Sequence, residues 1–250
     1  MIDIHSHTLW GLDDGSQDFE TTLHMCKIAY ESGTDVLFVT PHIVYWHSAE
    51  QLYDRRERKA EQLCEVLDDE AIDLKIVKGF EILCDDEIFN INYFKPYTLA
   101  GSRYILIEFD FYKTDEDDVM VWCDYLKKHG LVPIIAHPER YEFVLQDISV
   151  IGRLSDEGVL FQINAGSPLG FFGEREGVAA LKMLKSGYVD FVGTDAHSDR
   201  TRNTDLASLI EDYYDYISED YIELLTQTNP EKIINDEPIF VRRTGSPADY

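Results

Sequence analysis

Short apolar runs alternate with longer amphipathic stretches along the whole chain. Val36-Leu37-Phe38-Val39 and Val132-Pro133-Ile134-Ile135-Ala136 are almost unbroken in apolar residues, as parallel strands are when both faces of their sheet are covered. Seven such runs predict strands at Ile2–His5, Val36–Thr40, Lys75–Glu81, Tyr104–Phe109, Val132–Ala136, Leu160–Asn164 and Val189–Gly193. Between them the apolar residues recur at helical spacing. Phe19 to Ser32 sets Leu23, Cys26, Ile28 and Ala29 on one side and stops before Gly33, a common C-terminal signal. Ala49–Asp68, Asp115–His129, Asp147–Glu157, Gly173–Ser186 and Leu206–Ile217 follow the same habit. Asn229-Pro230-Glu231 reads as a further helix start, with Asn as cap and Pro in the first turn.

No Gly/Ser linker, low-complexity tract or internal repeat interrupts this alternation, so residues 1–250 read as one α/β domain, a β/α barrel with seven strands. An open doubly wound sheet would carry a glycine-rich turn after its first strand. Here that strand runs into His5-Ser6-His7-Thr8 instead, which is metal chemistry rather than a nucleotide cradle.

Composition narrows the function classes. A hydrophobic share of 44%, with 13 Phe and 15 Tyr, supplies an ample core. The net charge of −26 repels nucleic acid. The single short basic run, Arg55-Arg56-Glu57-Arg58-Lys59, reads as a solvated or subunit-contacting helix surface. Cys26, Cys64, Cys84 and Cys123 are scattered, three in helical patterns and one beyond a strand, which suits reduced thiols in a cytosol. None is followed six positions later by Arg, so the phosphate loop of cysteine phosphatases is missing. The N-terminus has no basic start, and no run reaches the roughly 18 apolar residues that a membrane span needs. The expectation is a cytoplasmic protein without membrane insertion.

Active sites of β/α barrels gather at the carboxyl ends of the strands. The first predicted strand is followed by His5 and His7, then Asp13 and Asp14, and the second by His42. The third ends in Glu81, the fourth contains Glu108, and the fifth is followed by His137. The sixth ends with Asn164, and the seventh is followed by Asp195 and His197. With 48 Asp and Glu in 250 residues an acid at a strand end carries little weight, but five of only eight histidines stand there. Alternate residues of an extended chain point the same way, so His5 and His7 can grip one ion, as can Asp195 and His197. Imidazole and carboxylate without thiolate suit Mn²⁺, Fe²⁺ or Zn²⁺. Nine candidates suffice for two or three ions, with Glu81 as the bridging carboxylate, and such a centre can generate hydroxide near neutral pH for a hydrolysis. Arg140 and Arg202 lie beside the histidines, and a guanidinium pairs with two phosphate oxygens at once. Asn164 could donate to a substrate or orient a neighbour. Asp13 or Asp14 could instead cap the turn at Gly15.

These residues also carry a resemblance. Met1-Ile2-Asp3-Ile4-His5-Ser6-His7, Leu12-Asp13-Asp14-Gly15, Thr40-Pro41-His42, Ile107-Glu108-Phe109, Ile135-Ala136-His137-Pro138-Glu139-Arg140 and Thr194-Asp195-Ala196-His197 resemble the PHP (polymerase and histidinol phosphatase) superfamily. More narrowly, they are similar to the bacterial manganese-dependent protein tyrosine phosphatases of capsular and exopolysaccharide operons, the CpsB or YwqE type. The likeness runs in order from residue 1 to roughly 235 and includes Phe172-Gly173-Glu174-Arg175. It implies a distorted seven-stranded barrel and a trinuclear centre, usually of manganese. His5, His7, Glu81 and Asp195 would hold one ion, Glu81, Glu108 and His137 a second, and Asp14, His42 and His197 a third. Arg140 and Arg202 would bind phosphate. The implied substrate is the phosphotyrosine tail of a bacterial tyrosine autokinase that controls polysaccharide export, attacked by a hydroxide held at the metals. The resemblance also allows a homo-oligomer. The competing activities are hydrolysis of a small phosphate ester such as histidinol phosphate, and phosphodiester cleavage.

Overall fold

The computed structural model describes residues 1–240 and Arg243; residues 241, 242 and 244–250, part of the span read above as one domain, lie outside the described residues. Nine strands are present among the described residues: β1 (Ile2–Asp3), β2 (Val36–Val39), β3 (His42–Ile43), β4 (Lys75–Lys78), β5 (Glu81–Leu83), β6 (Tyr104–Glu108), β7 (Val132–Ala136), β8 (Leu160–Asn164) and β9 (Phe191–Gly193). They form two parallel ladders, β1-β2-β4 and β3-β5-β6-β7-β8-β9. The apolar runs thus become parallel strands, nearly all buried in β2 and β6 to β9 as their composition requires, whereas β4 keeps Lys75 exposed.

Two of the predicted strands are interrupted. Val36–Thr40 stops at Val39, and a new strand begins at His42 after Pro41, whose nitrogen cannot donate to a ladder. Lys75–Glu81 breaks at Gly79-Phe80, where a Cβ on Gly79 would lie 2.5 Å from Leu99 Cδ2. Pairing continues across both breaks, because Gly79 N–H donates to Val39 O (3.0 Å) and Glu81 N–H to Pro41 O (3.2 Å). At the ends of the order, His7 N–H donates to Ala196 O and Asp195 N–H to His5 O, each at 2.9 Å. The fully buried carboxylate of Asp3 adds to this join by accepting from Thr194 N–H (3.1 Å) and Thr194 Oγ1 (2.6 Å). The segment after the first strand is therefore bonded to the segment after the last.

Nine α-helices occur among the described residues: α1 (Phe19–Glu31), α2 (Ala49–Asp69), α3 (Glu116–Lys128), α4 (Glu142–Gln146), α5 (Val150–Asp156), α6 (Glu174–Lys185), α7 (Leu206–Glu211), α8 (Glu219–Glu223) and α9 (Asn229–Ile234). α1 and α3 begin on Asp18 and Asp115, whose side chains accept from Thr21 N–H and Asp118 N–H. The α-helix predicted from Asn229 is α9, with Pro230 in its first turn, but Asn229 does not cap it. A π-helical segment, Leu224–Thr228, leads into it from α8, and the Asn229 side chain donates to Asp190 O (3.0 Å) instead of capping. Leu206–Ile217 likewise splits, with a 3₁₀ turn over Asp212–Asp215. Among the described residues no helix is long and apolar enough to cross a membrane.

The basic run on α2 is a solvated surface only in part: Arg55 and Arg58 are exposed, whereas Arg56 is buried. Arg55 donates to Gly11 O, Lys59 lies 4.0 Å from the Trp10 ring centroid, and Arg56 is buried. The Arg56 guanidinium donates to Gly79 O (2.9 Å) and Glu57 Oε1 (2.8 Å) and sits 4.2 Å from the Phe80 ring centroid. It therefore ties α2 to the break between β4 and β5. Arg56→Leu should cost about 2 kcal/mol, because it leaves the buried Gly79 carbonyl without its donor while Glu57 keeps Lys78. Urea denaturation checks this, and an unchanged midpoint would contradict it.

Candidate metal centre

The strands deliver their polar ends to one place. Glu81 stands at the head of β5, directly opposite His42 of β3 and Leu106 of β6. Its Oε2 has His5 Nε2 at 3.0 Å, His7 Nε2 at 3.2 Å and His42 Nδ1 at 3.2 Å. Its Oε1 lies 2.8 Å from His137 Nε2. One fully buried carboxylate is thus shared by four imidazoles. Glu108 Oε1 closes on His42 Nδ1 at 2.8 Å, and Glu108 Oε2 lies 3.9 Å from His137. Asp195 Oδ1 lies 3.6 Å from His5 Nε2 and 3.4 Å from His7 Nε2.

Three sets of donor atoms each fall within 4.8 Å of one another: His5, His7, Glu81 and Asp195; His7, Asp14, His42 and His197; and His42, Glu81 and Glu108. All nine candidate ligands are brought together. The geometry adds His7 to the group around Asp14 and places His42 beside Glu81 and Glu108, with His137 reaching the same pair of carboxylates.

Asp13 and Asp14 separate cleanly. Asp13 Oδ2 accepts from His7 Nδ1 (2.7 Å) and His42 N–H (3.0 Å), and its Oδ1 accepts from Gly15 N–H (3.0 Å). Both its oxygens are spent on orienting neighbours. Asp14 Oδ1 instead stands 3.5 Å from His42 Nε2 and 3.4 Å from His197 Nε2. Other polar residues do similar work. His5 Nδ1–H donates to Gln162 Oε1 (2.7 Å), which turns Nε2 inward, and His197 Nδ1–H donates to Asp195 O (2.9 Å). Asn164 Nδ2 donates to Asp195 Oδ2 (2.7 Å), so of its two roles the orienting one is seen. Two candidate ligands adopt left-handed backbone, His137 at φ 37° and Asp195 at φ 51°. Such strain in residues with a Cβ is held in place by surrounding structure and concentrates at functional sites.

The residues fit divalent cations. Glu81 Oε2, His42 Nδ1 and His137 Nδ1 are buried without a well-aligned hydrogen bond, although Glu81 Oε2 has three nitrogens near it and His42 Nδ1 has Glu108 Oε1 at 2.8 Å. Burial works against charge throughout the cluster, yet the carboxylates of Glu81 and Glu108 hold His42 up at about 9. Against the same burial, His5 keeps Glu81 and Asp195 well below the usual carboxylate range. The protein has assembled a negative cavity that attracts positive charge, and the oxygen and imidazole donors match Mn²⁺, Fe²⁺ or Zn²⁺.

Gly15 shows how little room the ligand loop has. A Cβ there would lie 2.2 Å from His7 O and 2.4 Å from His7 Cβ. Gly15→Ala should displace His7 and weaken metal binding by about 10- to 100-fold, as loss of an orienting contact typically does. Measured metal affinity equal to that of the unaltered protein would refute this.

Arg140 and Arg202 both face Asp195. Arg202 Nη2 pairs with Asp195 Oδ2 at 2.6 Å and donates to Asp195 O at 2.9 Å, while Arg140 Nη1 is 3.7 Å from Oδ2. The Nε of Arg202 is buried without a partner. Glu139, unremarked in the sequence, is fully buried and accepts from Asn164 N–H (2.9 Å) and Ser167 Oγ (2.6 Å). It locks the turn that carries Arg140 to the segment after β8.

A family model for capsular polysaccharide synthesis proteins, CpsB/CapC, matches residues 1–235. The tyrosine-protein phosphatase YwqE of Bacillus subtilis is 32% identical over 207 residues, covering 81% of this chain and 80% of YwqE. The tyrosine-protein phosphatase CpsB of Streptococcus pneumoniae is 30% identical over 253 residues, covering 96% of this chain and all of CpsB. A crystal structure from work on those two proteins, described as unique metal-dependent tyrosine phosphatases, superposes with a TM-score of 0.83 at 31% identity. It covers 98% of this chain and 99% of that one.

Proposed function

The chain belongs to the CpsB/CapC family of capsular polysaccharide synthesis proteins, and we propose that it is a metal-dependent protein tyrosine phosphatase acting on a tyrosine-phosphorylated protein. The observation that carries this is Glu81, a buried carboxylate shared by four histidines with Asp195 and Glu108 beside it. We read the two ladders as one distorted seven-stave barrel within a single domain, counting β2 with β3 and β4 with β5 as single staves. The ligand set is His5, His7, Asp14, His42, Glu81, Glu108, His137, Asp195 and His197, holding two or three ions, with Mn²⁺ as the resident metal.

When bound, such ions acidify a water molecule and neutralise phosphoryl oxygens. The protein's own residues do the remainder. Arg140 and Arg202 present forked donors to the phosphate oxygens and offset its charge. Asp13, Gln162 and Asn164 fix the ligands that they touch, so no reorganisation is needed during reaction. The leaving tyrosinate is the anion of a phenol with pKa about 10, which departs without a strong acid. The phosphotyrosine is carried on the tail of a bacterial tyrosine autokinase that governs polysaccharide export.

The test is a substrate panel of a phosphotyrosine peptide, a phosphoserine peptide and histidinol phosphate, each with Mn²⁺-loaded protein. Turnover of the phosphotyrosine peptide, at least about 100-fold faster than of the other two, is the expected result. Preference for histidinol phosphate would move the protein to small phosphate esters.

A further inference from the structure

The segment after β8, Gly166-Ser167-Pro168-Leu169-Gly170-Phe171-Phe172-Gly173, places Phe172 against both arginines and Phe171 in the cavity that they line. Gly170 at φ 82° turns the chain back, and Phe171 N–H donates to Gly166 O (3.2 Å). A Cβ on Gly166 would lie 2.7 Å from the Phe171 ring, so only glycine lets that ring rest on the turn. The base of the loop is fixed by Ser167 to Glu139 and by Tyr213 Oη donating to Ala165 O (3.1 Å). Phe172 lies under both guanidinium groups, with its ring centroid 4.9 Å from Arg140 Cζ and 5.5 Å from Arg202 Cζ. Phe111 supports Arg140 from elsewhere at 4.5 Å. Phe171, by contrast, is 65% exposed although its loop is firmly anchored. Arg140, Arg202, Phe171, Phe172 and Leu209 line one cavity of about 490 Å³.

We infer that this cavity is the subsite for the leaving aryl group. Phe171 packs against the phenyl ring of phosphotyrosine, and Phe172 is a positioning residue that carries both arginines. The inference rests on the phosphatase reading and adds its selectivity to it. The two arginines would take the anionic phosphate, whereas Phe171, resting on Gly166 with most of its ring exposed in the same cavity, matches a planar apolar substituent. A serine phosphate has no such group to offer.

Binding of non-hydrolysable probes to Mn²⁺-loaded protein, measured by calorimetry with bound metal assayed alongside, tests this. Phenylphosphonate and methylphosphonate share the anionic head and differ in the ring. The intact protein should prefer phenylphosphonate. Phe171→Ala should lower that preference about five-fold, the order expected of one aromatic contact, and Phe171→Leu by less. Phe172→Ala should weaken both probes together by about ten-fold, with partial recovery in Phe172→Leu, because the arginines lose their platform. A phenyl-to-methyl ratio unchanged by Phe171→Ala would overturn the subsite while leaving the phosphatase reading intact. Failure of the metal-loaded, intact protein to bind inorganic phosphate or either phosphonate would remove both.

Discussion

Glu81→Gln should lower turnover of a phosphotyrosine peptide by about 10³-fold or more and leave the centre depleted of metal. The change keeps the side chain's volume, so packing against β3 and β6 is retained. It removes one negative charge from the point where His5, His7, His42 and His137 converge at 2.8–3.2 Å. It also replaces a carboxylate oxygen by an amide nitrogen that cannot ligate. Since Glu81 belongs to two of the three donor sets, one substitution damages both. Metal content and activity should fall together while circular dichroism stays that of the folded protein. Activity within about ten-fold of the unaltered protein would show that the carboxylate is not the hub.

Arg140→Ala should reduce kcat/KM by about 10²-fold with metal content unchanged, the usual effect of removing one donor to a developing anion. Arg140 is the cleaner of the two arginines to remove. It stands 3.7 Å from Asp195, whereas Arg202 pairs with that carboxylate at 2.6 Å and its loss would disturb a candidate ligand as well. Arg140→Lys should recover only part of the loss, since a point charge cannot replace a planar fork. Arg202→Ala is therefore expected to lose both metal and rate. A fall in metal content for Arg140→Ala would mean that it supports the ligands rather than binding phosphate.

Much of the site was legible because histidine is scarce and strand ends are special. His5-Ser6-His7 announces convergent ligands through alternation, and the apolar runs at β6, β7 and β8 mark their strands to within a residue. Asp195 and His197 do not share an ion by alternation, because Asp195 turns at φ 51° and falls in a different donor set from His197. What stayed hidden depends on partners distant in sequence. Gln162 sits inside an apolar run and meets His5 across 157 residues, and Asp3 meets Thr194 across 191. A lone polar residue in a buried strand gives no periodic signal of its partner. The burial of Arg56 was masked in the same way, because four basic residues in five look like a wet helix face until the helix is docked. The breaks after Val39 and Lys78 turn on Pro41 and on the contact between Gly79 and Leu99, and neither was visible in patterning.

The relatives' names and the buried cluster point to the same chemistry, and metal reconstitution tests that link most directly. Protein stripped by chelation would be titrated with Mn²⁺ while bound metal and release of phosphate from a phosphotyrosine peptide are followed together. No turnover is expected without metal, with recovery as two or three ions bind per chain. Full activity in metal-free protein, or complete metal loading with no hydrolysis of the phosphotyrosine peptide, would contradict that link.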